Sequence, residues 1–365
     1  MAGAVKAINK RSQLGPAKVH YPMIKWFQIT FTAPVHVGER GIGVESVNKW
    51  VPSTTIHGAM INAMVLLGLV SGREVLQAAE ELSVNTPSPL IGSTPYVWMI
   101  GLDILFAEEA GRTIGSIRDY HLFIKELKKV CLVSAGFIGD AVNGCRPGSS
   151  GDEYFIECGD RVYYLAKTRS GVGVLVSGEK RIPELLRIRS RPRNVIDRVT
   201  GAAEPYYQGI VRYRVPLLLG VGIKGETLSW RDIEATLRLL SDLGIGGERT
   251  YGFGRFIYEG KTVSIPIERG ENICRGICQG LYSPADNPVY VYENSIYITG
   301  IHGHRGTLFG ITRTPVVVLR EGSIVSCNST CRGKIVYEHI QGQPVIRSFN
   351  PLMIPLGGDD KDWLS

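Results

Sequence analysis

The chain alternates short β-like runs with a few helical periods. "MIKWFQITFTAP", Met23 to Pro34, is rich in β-branched and aromatic residues and closes on a proline, which predicts a first strand. After a glycine-bearing loop, Ile56, Ala59, Met60, Ala63, Met64 and Leu67 recur at helical spacing, and Ser53, Thr54 or Thr55 can cap that helix. Residues 73 to 82 predict a further helical piece, "YVWMI" a strand and "DYHLFIKELKKV" a short helix. The glycine- and proline-rich stretch from Cys145 to Asp152 predicts a loop, followed by a hairpin of "EYFIE" and "VYYLA". "WRDIEATLRLLSDLG" is the clearest helix, with Ile233, Leu237, Leu240 and Leu243 on one face and Gly244 as its C-terminal cap. "FGRFIYEG" and "TVSIPI" then predict strands. Beyond Ile267 come further short strands: "PVYVYE", "SIYITGI", "PVVVLREGSIV", "GKIVYEHI" and "PVIRSF".

This pattern divides the chain into a disordered tail (1–22), an N-terminal domain with insertions (23–266) and a β-rich C-terminal domain (267–365). The tail has no apolar core of the kind a targeting signal needs. The longest apolar candidate, Ala59 to Val70, is shorter than the about 20 residues that span a bilayer. The expectation is a cytoplasmic protein. The net charge of +7 changes the picture further, because it favours an acidic partner, of which nucleic acid is the commonest.

Two stretches carry most of the candidate chemistry. "LGIGGERTYGFGRF", Leu243 to Phe256, sets Gly244, Gly246, Gly247, Gly252 and Gly254 around Arg249, Tyr251 and Arg255. The outline G-x-x-x-x-G is present as Gly247 to Gly252, but Phe253 and Gly254 stand where a phosphate loop needs Lys and Ser/Thr. The loop also follows a helix and opens a strand, the reverse of a nucleotide-binding loop, so no ATP or NAD cofactor is expected. Glycines can instead turn backbone N–H groups toward phosphates, while arginines add charge and aromatic rings stack on unpaired bases. The alternative is a tight turn with Phe253 and Phe256 in the core. The second stretch, Lys180 to Arg214, holds nine basic residues against three acidic ones. In a strand, Arg187, Arg189, Arg191 and Arg193 would project from one face, a row suited to a phosphate backbone or to a solvated edge. Arg198 follows, able to contact RNA or to pair with Asp197 or Glu204.

Histidines and cysteines offer less. His302 and His304 beside Arg305, and separately His36 and His57, could serve as acid and base or bind a metal; a polar turn is the simpler reading of "IHGHRG". The seven cysteines include two C-x3-C pairs, Cys274/Cys278 and Cys327/Cys331, able in principle to hold zinc. Buried thiols or disulfides account for them as well, and no metal is expected.

The helix leading into the glycine loop resembles the signature of the RAMP superfamily of CRISPR proteins. "RPRNVIDRVTGAAEPYYQG" and "VPSTTIHGAM", with "GHRGTLFGI", "LREGSIV", "GKIVYEH" and "PVIRSFNPLMIPL", resemble one subgroup, the fourth subunit of the Csm effector complex of type III-A. That resemblance implies an α+β protein with two ferredoxin-like (RRM-like) domains in tandem. It implies a non-catalytic subunit for antiviral defence that binds the 5′ handle of the guide RNA (crRNA). Its partners would be the large signalling subunit and a backbone RAMP subunit. Carried onto this chain, RNA contact is expected at the five glycines of the loop, Arg249, Tyr251, Arg255, the arginine row, Arg198, Ser53, Thr54 and His57. The alternative is a RAMP endoribonuclease that processes precursor guide RNA. Such nucleases carry the glycine loop near the C-terminus, whereas 365 − 255 leaves 110 residues after Arg255 here.

Overall fold

A computed structural model describes residues 23–38, 46–141, 144–151, 153–169, 171–178, 182–265, 275–303, 313–327, 331–340 and 343–356. The expected tail, the 266/267 boundary, Cys274, His304 and Arg305 lie outside them. In chain order the elements begin with β1 (Met23–Phe31), α1 (Ser53–Leu66), α2 (Glu74–Glu81), β2 (Leu82–Val84), β3 (Ser88–Ile91) and β4 (Thr94–Trp98). There follow α3 (Leu102–Leu105), α4 (Ala107–Thr113), α5 (Ile117–Leu127), β5 (Val130–Ser134), α6 (Ala135–Ala141), β6 (Arg146–Ser150), β7 (Glu153–Cys158), β8 (Arg161–Lys167) and β9 (Gly173–Ser177). Next are β10 (Leu186–Ile196), β11 (Ala203–Tyr213), β12 (Leu217–Ile223), α7 (Trp230–Leu243), β13 (Phe256–Val263) and β14 (Arg275–Cys278). The chain closes with α8 (Pro288–Glu293), β15 (Thr299–His302), β16 (Val316–Leu319), β17 (Ile324–Ser326), β18 (Lys334–Ile340), β19 (Gln343–Phe349) and β20 (Met353–Pro355).

Among the described residues, one mixed sheet runs β13-β1-β12-β3-β4-β5-β9-β8-β7-β6, and β2 also pairs with β12. Within it, β13-β1-β12-β2 is antiparallel, with α1 after β1 and α7 after β12, the strand order of a split βαβ unit. Phe27, Ile29 and Phe31 turn one face of β1 toward Ile56, Met60 and Met64 of α1 and Ile233, Leu237 and Leu240 of α7. Trp26 on the opposite face joins Leu90, Leu218 and Leu352. With both faces covered, all of β12 is buried. That strand, "LLLGVGI", has no polar alternation to announce it. Gly220 sits within it because a Cβ there would lie 2.7 Å from the Trp26 ring.

A second core gathers Val97, Phe123, Val133, Phe137 and Leu175 with Ile277, Ile296, Ile324 and Ile354. Residues inserted between β2 and β12 therefore share a core with strands that follow the glycine loop. Gln279 ties the two parts together: its Oε1 accepts from Trp98 N–H at 3.0 Å and its Nε2 donates to Trp98 O at 3.0 Å, fully buried.

Two local expectations are corrected. "PVYVYE" is the helix α8, because Asn287 caps it through Tyr290 N–H and Pro288 suits its first turn. The stretch after Cys145 is not a loop: Arg146–Ser150 pairs with β7 as a strand, and Cys145 is bonded to Cys158 across that pair. Cys327 and Cys331 are bonded to each other, which removes both from the four-thiolate zinc site, and Cys278 is a buried thiol whose pKa burial pushes up. The Gly244 cap is present, its N–H donating to Leu240 O at 2.8 Å.

Gln279→Leu should lower unfolding free energy by about 2–4 kcal/mol, since the backbone N–H and C=O of Trp98 lose their Gln279 partner inside the core. Urea unfolding of the whole chain measures it. A loss below 0.5 kcal/mol, on the order of an ordinary surface change, would mean the two parts are not joined there.

Candidate nucleic-acid interface

The segment after β1 brings the two basic stretches together. Val35 exchanges backbone hydrogen bonds with Val211 of β11 at 2.8 and 2.9 Å, and His36 Nδ1–H donates to Gly209 O at 2.7 Å. On its other side the same segment accepts from the glycine loop, Gly254 N–H to Pro34 O and Gly247 N–H to His36 O, each at 2.8 Å. The β10–β11 hairpin and the glycine loop are thereby held side by side.

The loop's glycines serve mainly to let its backbone cross itself. Ile245 N–H donates to Gly254 O at 3.0 Å. A Cβ on Gly254 would fall 2.0 Å from Ile245 O, one on Gly244 2.2 Å from Phe253 O, and one on Gly246 2.7 Å from His36 O. Gly252 faces open space but has φ +78°, and Gly247 has ordinary φ, with a Cβ there falling 3.2 Å from the His36 ring. Ile245 and Phe253 are buried beneath the crossing, so Phe253 is unavailable to a base. Not every glycine N–H of the loop is free to face a phosphate: those of Gly244, Gly247, Gly252 and Gly254 are bonded within the protein. At the lip, Glu248 is left-handed (φ 61°) and is followed by the 3-10 turn Arg249–Tyr251. Successive left- and right-handed residues make their N–H groups converge, and those of Glu248, Arg249 and Thr250 have no partner among the described residues. Beside this concavity Arg249, Tyr251 and Arg255 are exposed.

On the hairpin, the strands pair from Leu186↔Tyr213 to Ile196↔Ala203, which places all four arginines of the row on one face. They are not four equivalent cations. Arg187 binds Glu184 through two hydrogen bonds, 3.0 and 2.6 Å, and this pairing holds the Glu184 carboxyl below its usual range. Arg193 is paired with Glu248, donates to Gln208 Oε1 at 3.2 Å and stacks 4.2 Å from the Tyr251 ring centre. It joins hairpin to loop instead of facing solvent. Arg191 lies 5.9 Å from the Phe253 ring centre and stays exposed, as do Arg189 and Arg198. Asp197 accepts from Val199 N–H at 2.8 Å to form the hairpin turn, so its carboxylate serves the backbone. Glu248 and Gln208 were not anticipated as site residues; a glutamate among glycines carries no sequence signal of a left-handed backbone or of its arginine partner.

The first-helix residues lie elsewhere. Ser53 is buried and its hydroxyl accepts from Leu281 N–H at 3.0 Å, so it does not cap the helix. Thr54 is buried 3.3 Å from His302 Nε2. His57 is enclosed, with Nε2–H donating to Ala79 O at 3.0 Å, and burial lowers its pKa from 6.5 to about 4. None of the three presents a surface to RNA in this conformation. His302 is likewise lowered to about 4, first by burial and then by Arg347 and Arg313. Among the described residues no group of three or more His, Cys, Asp or Glu could hold a metal, and no helix is long and apolar enough to cross a membrane.

Residues 28–257 match the family model of the RAMP superfamily. No curated protein matches the chain. Among solved structures, a chain of a Csm3–Csm4 subcomplex of the type III-A CRISPR-Cas interference complex is similar at TM-score 0.55 and 13% identity, covering 90% of this chain and 100% of that one. Two structures of a Csm1–Csm4 cassette, in complex with cA4 and with pppApA, give TM-scores of 0.53 and 0.52, each at 12% identity over 92% of this chain and 99% or 98% of theirs. At these identities the likeness is one of fold.

Gly254→Ala should destabilise more than Gly252→Ala. Both incur a left-handed penalty of about 1–2 kcal/mol, and Gly254→Ala adds about 1–3 kcal/mol of overpacking against Ile245. Urea midpoints decide it, and equal losses would contradict the crossing. His57 binds a proton at about 6.5 when unfolded and only near 4 when folded, so its contribution to stability is complete above 6.5 and is lost as pH falls toward 4. His57→Gln should therefore flatten the stability profile over that window by roughly 3 kcal/mol relative to the native chain. Parallel profiles for the two proteins would mean that His57 titrates normally.

Proposed function

The chain belongs to the RAMP superfamily, and from that premise we propose that it is a non-catalytic subunit of a type III CRISPR effector complex that holds the 5′ handle of the guide RNA. One observation carries the reading. The hairpin and the glycine loop, far apart in sequence, form one surface on which Arg189, Arg191, Arg249, Arg255 and Tyr251 are exposed around a concavity of backbone N–H groups. Cations and converging N–H groups suit phosphates, and an exposed tyrosine suits an unpaired base. In this reading the large signalling subunit and a backbone RAMP subunit are its partners, in keeping with the Csm1 and Csm3 named beside Csm4 in the similar structures, and it works in the cytoplasm. The split βαβ unit is then the first ferredoxin-like domain. The core around Val97, Phe137 and Ile354 is the second, drawn from both sides of the first domain's last strand.

The nuclease alternative is weakened by the burial of His57 and His302, both kept neutral by their surroundings. Among the described residues, half-buried His36 is the candidate that remains; His304 lies outside them.

Single-stranded repeat RNA, titrated against salt, tests the proposal. Arg189→Gln, Arg191→Gln and Arg249→Gln together should weaken binding and reduce the slope of log affinity against log salt by about 2, at about 0.7 per phosphate contact. The native chain should leave the RNA intact in magnesium and in chelator. Unchanged affinity and slope would remove the surface from RNA binding, and cleavage abolished by His36→Ala would establish the nuclease instead.

A further inference from the structure

The C-terminal part contains a polar cluster that no core requires. Arg347 of β19 is 4% exposed. Its Nη2 donates to Thr314 O at 2.7 Å and to Glu338 Oε1 at 3.0 Å, and Thr314 N–H donates to the same Oε1 at 3.0 Å. Among the described residues its Nε and Nη1 have no partner, nor do Arg313 Nε, His302 Nδ1 and Glu338 Oε2. Leaving one charged donor buried and unpaired is costly, and this cluster leaves several within one neighbourhood. The backbone makes room for the Arg347 guanidinium there. Gly303 has φ +97°, and a Cβ on it would lie 2.4 Å from Arg347 Nη1. Gly303 and Arg313 are only partly buried and Thr314 is exposed, so the cluster opens to solvent at that edge.

We propose that Arg347, Arg313 and His302 form a second anion site, which takes a phosphate group with a hydroxyl beside it. The donor set selects the ligand. Two guanidiniums against one carboxylate leave a net positive site, and three unpaired N–H directions suit an oxyanion with several acceptor oxygens. Glu338 Oε2 is an acceptor and repels an oxyanion that has nothing to donate. A carboxylate or sulfate has no proton for it at neutral pH. Monohydrogen phosphate and a singly protonated phosphate monoester carry one on the phosphate itself. An internal RNA phosphate brings a 2′-hydroxyl alongside. His302 is neutral, lowered to about 4 by burial and by Arg347 and Arg313, so it adds a hydrogen bond without charge. The site uses none of the residues assigned to the hairpin–loop surface, and its test stands apart from that reading.

The test is calorimetric titration of the whole chain at neutral pH and constant ionic strength, with inorganic phosphate and with sulfate. A saturable phosphate site that depends on Arg313 is expected, with sulfate at least tenfold weaker at it. Arg313→Gln should weaken phosphate at least tenfold, and Arg313→Lys, which keeps the charge but loses the Nε donor, should weaken it measurably; melting curves confirm that both fold. Arg112→Gln, on the exposed side of α4, should change nothing. Competition then separates the two sources. Displacement of phosphate by a short RNA, but not by DNA of the same sequence, assigns the site to an internal RNA phosphate; displacement by neither assigns it to a terminal or free phosphate. The proposal is overturned by three results: no saturable phosphate binding, sulfate binding as tightly as phosphate, or binding that Arg249→Ala abolishes and Arg313→Gln leaves intact.

Discussion

Pro34 to Val37 leaves the end of β1 and is gripped from both sides. Its backbone pairs with β11 through Val35 and receives N–H groups of the glycine loop on Pro34 O and His36 O, while the His36 ring holds Gly209. Backbone hydrogen bonds of this kind fix position without regard to side-chain identity, so two elements separated by about one helix and one strand in sequence acquire a set spacing. Every feature of the proposed RNA surface depends on that spacing. Arg193 meets Glu248 and Tyr251 only because the hairpin lies where this segment puts it.

The site is economical with its charge. A row of four like cations on one strand face would repel itself in the free protein. Arg187 and Arg193 are neutralised by Glu184 and Glu248, at the root of the hairpin and against the loop. Arg189 and Arg191, between them on the strand, keep their charge for a ligand. Arg193 thus serves positioning, and the loop's aromatic residues divide the same way: Phe253 is buried as an anchor, Tyr251 is two-thirds exposed.

The second core follows another logic. Segments inserted before β12 and segments after β13 each expose apolar faces that they cannot bury alone, and they cover one another around Val97, Phe137, Ile277 and Ile354. Gln279 satisfies Trp98 across that junction, since a polar backbone pair inside such a core must be matched.

The sequence by itself determined the local elements with strong periodicity or unambiguous caps: β1, α1, α2, α7 with Gly244 at its end, and the alternation that puts four arginines on one strand face. It also carried the family, because the glycine loop's pattern is contiguous. It did not show β12, whose uniform burial erases alternation, or α8, whose β-branched composition is overridden by the Asn287 cap. Nor could it distinguish Ser53, Thr54 and His57 as buried from Arg249 and Tyr251 as exposed, since exposure depends on what packs against a segment from elsewhere in the chain. Tertiary structure alone decided which arginines find carboxylates, which glycine N–H groups are already used, and that Cys145 meets Cys158. Those are properties of distance between residues remote in sequence, and periodicity along a chain holds no record of them.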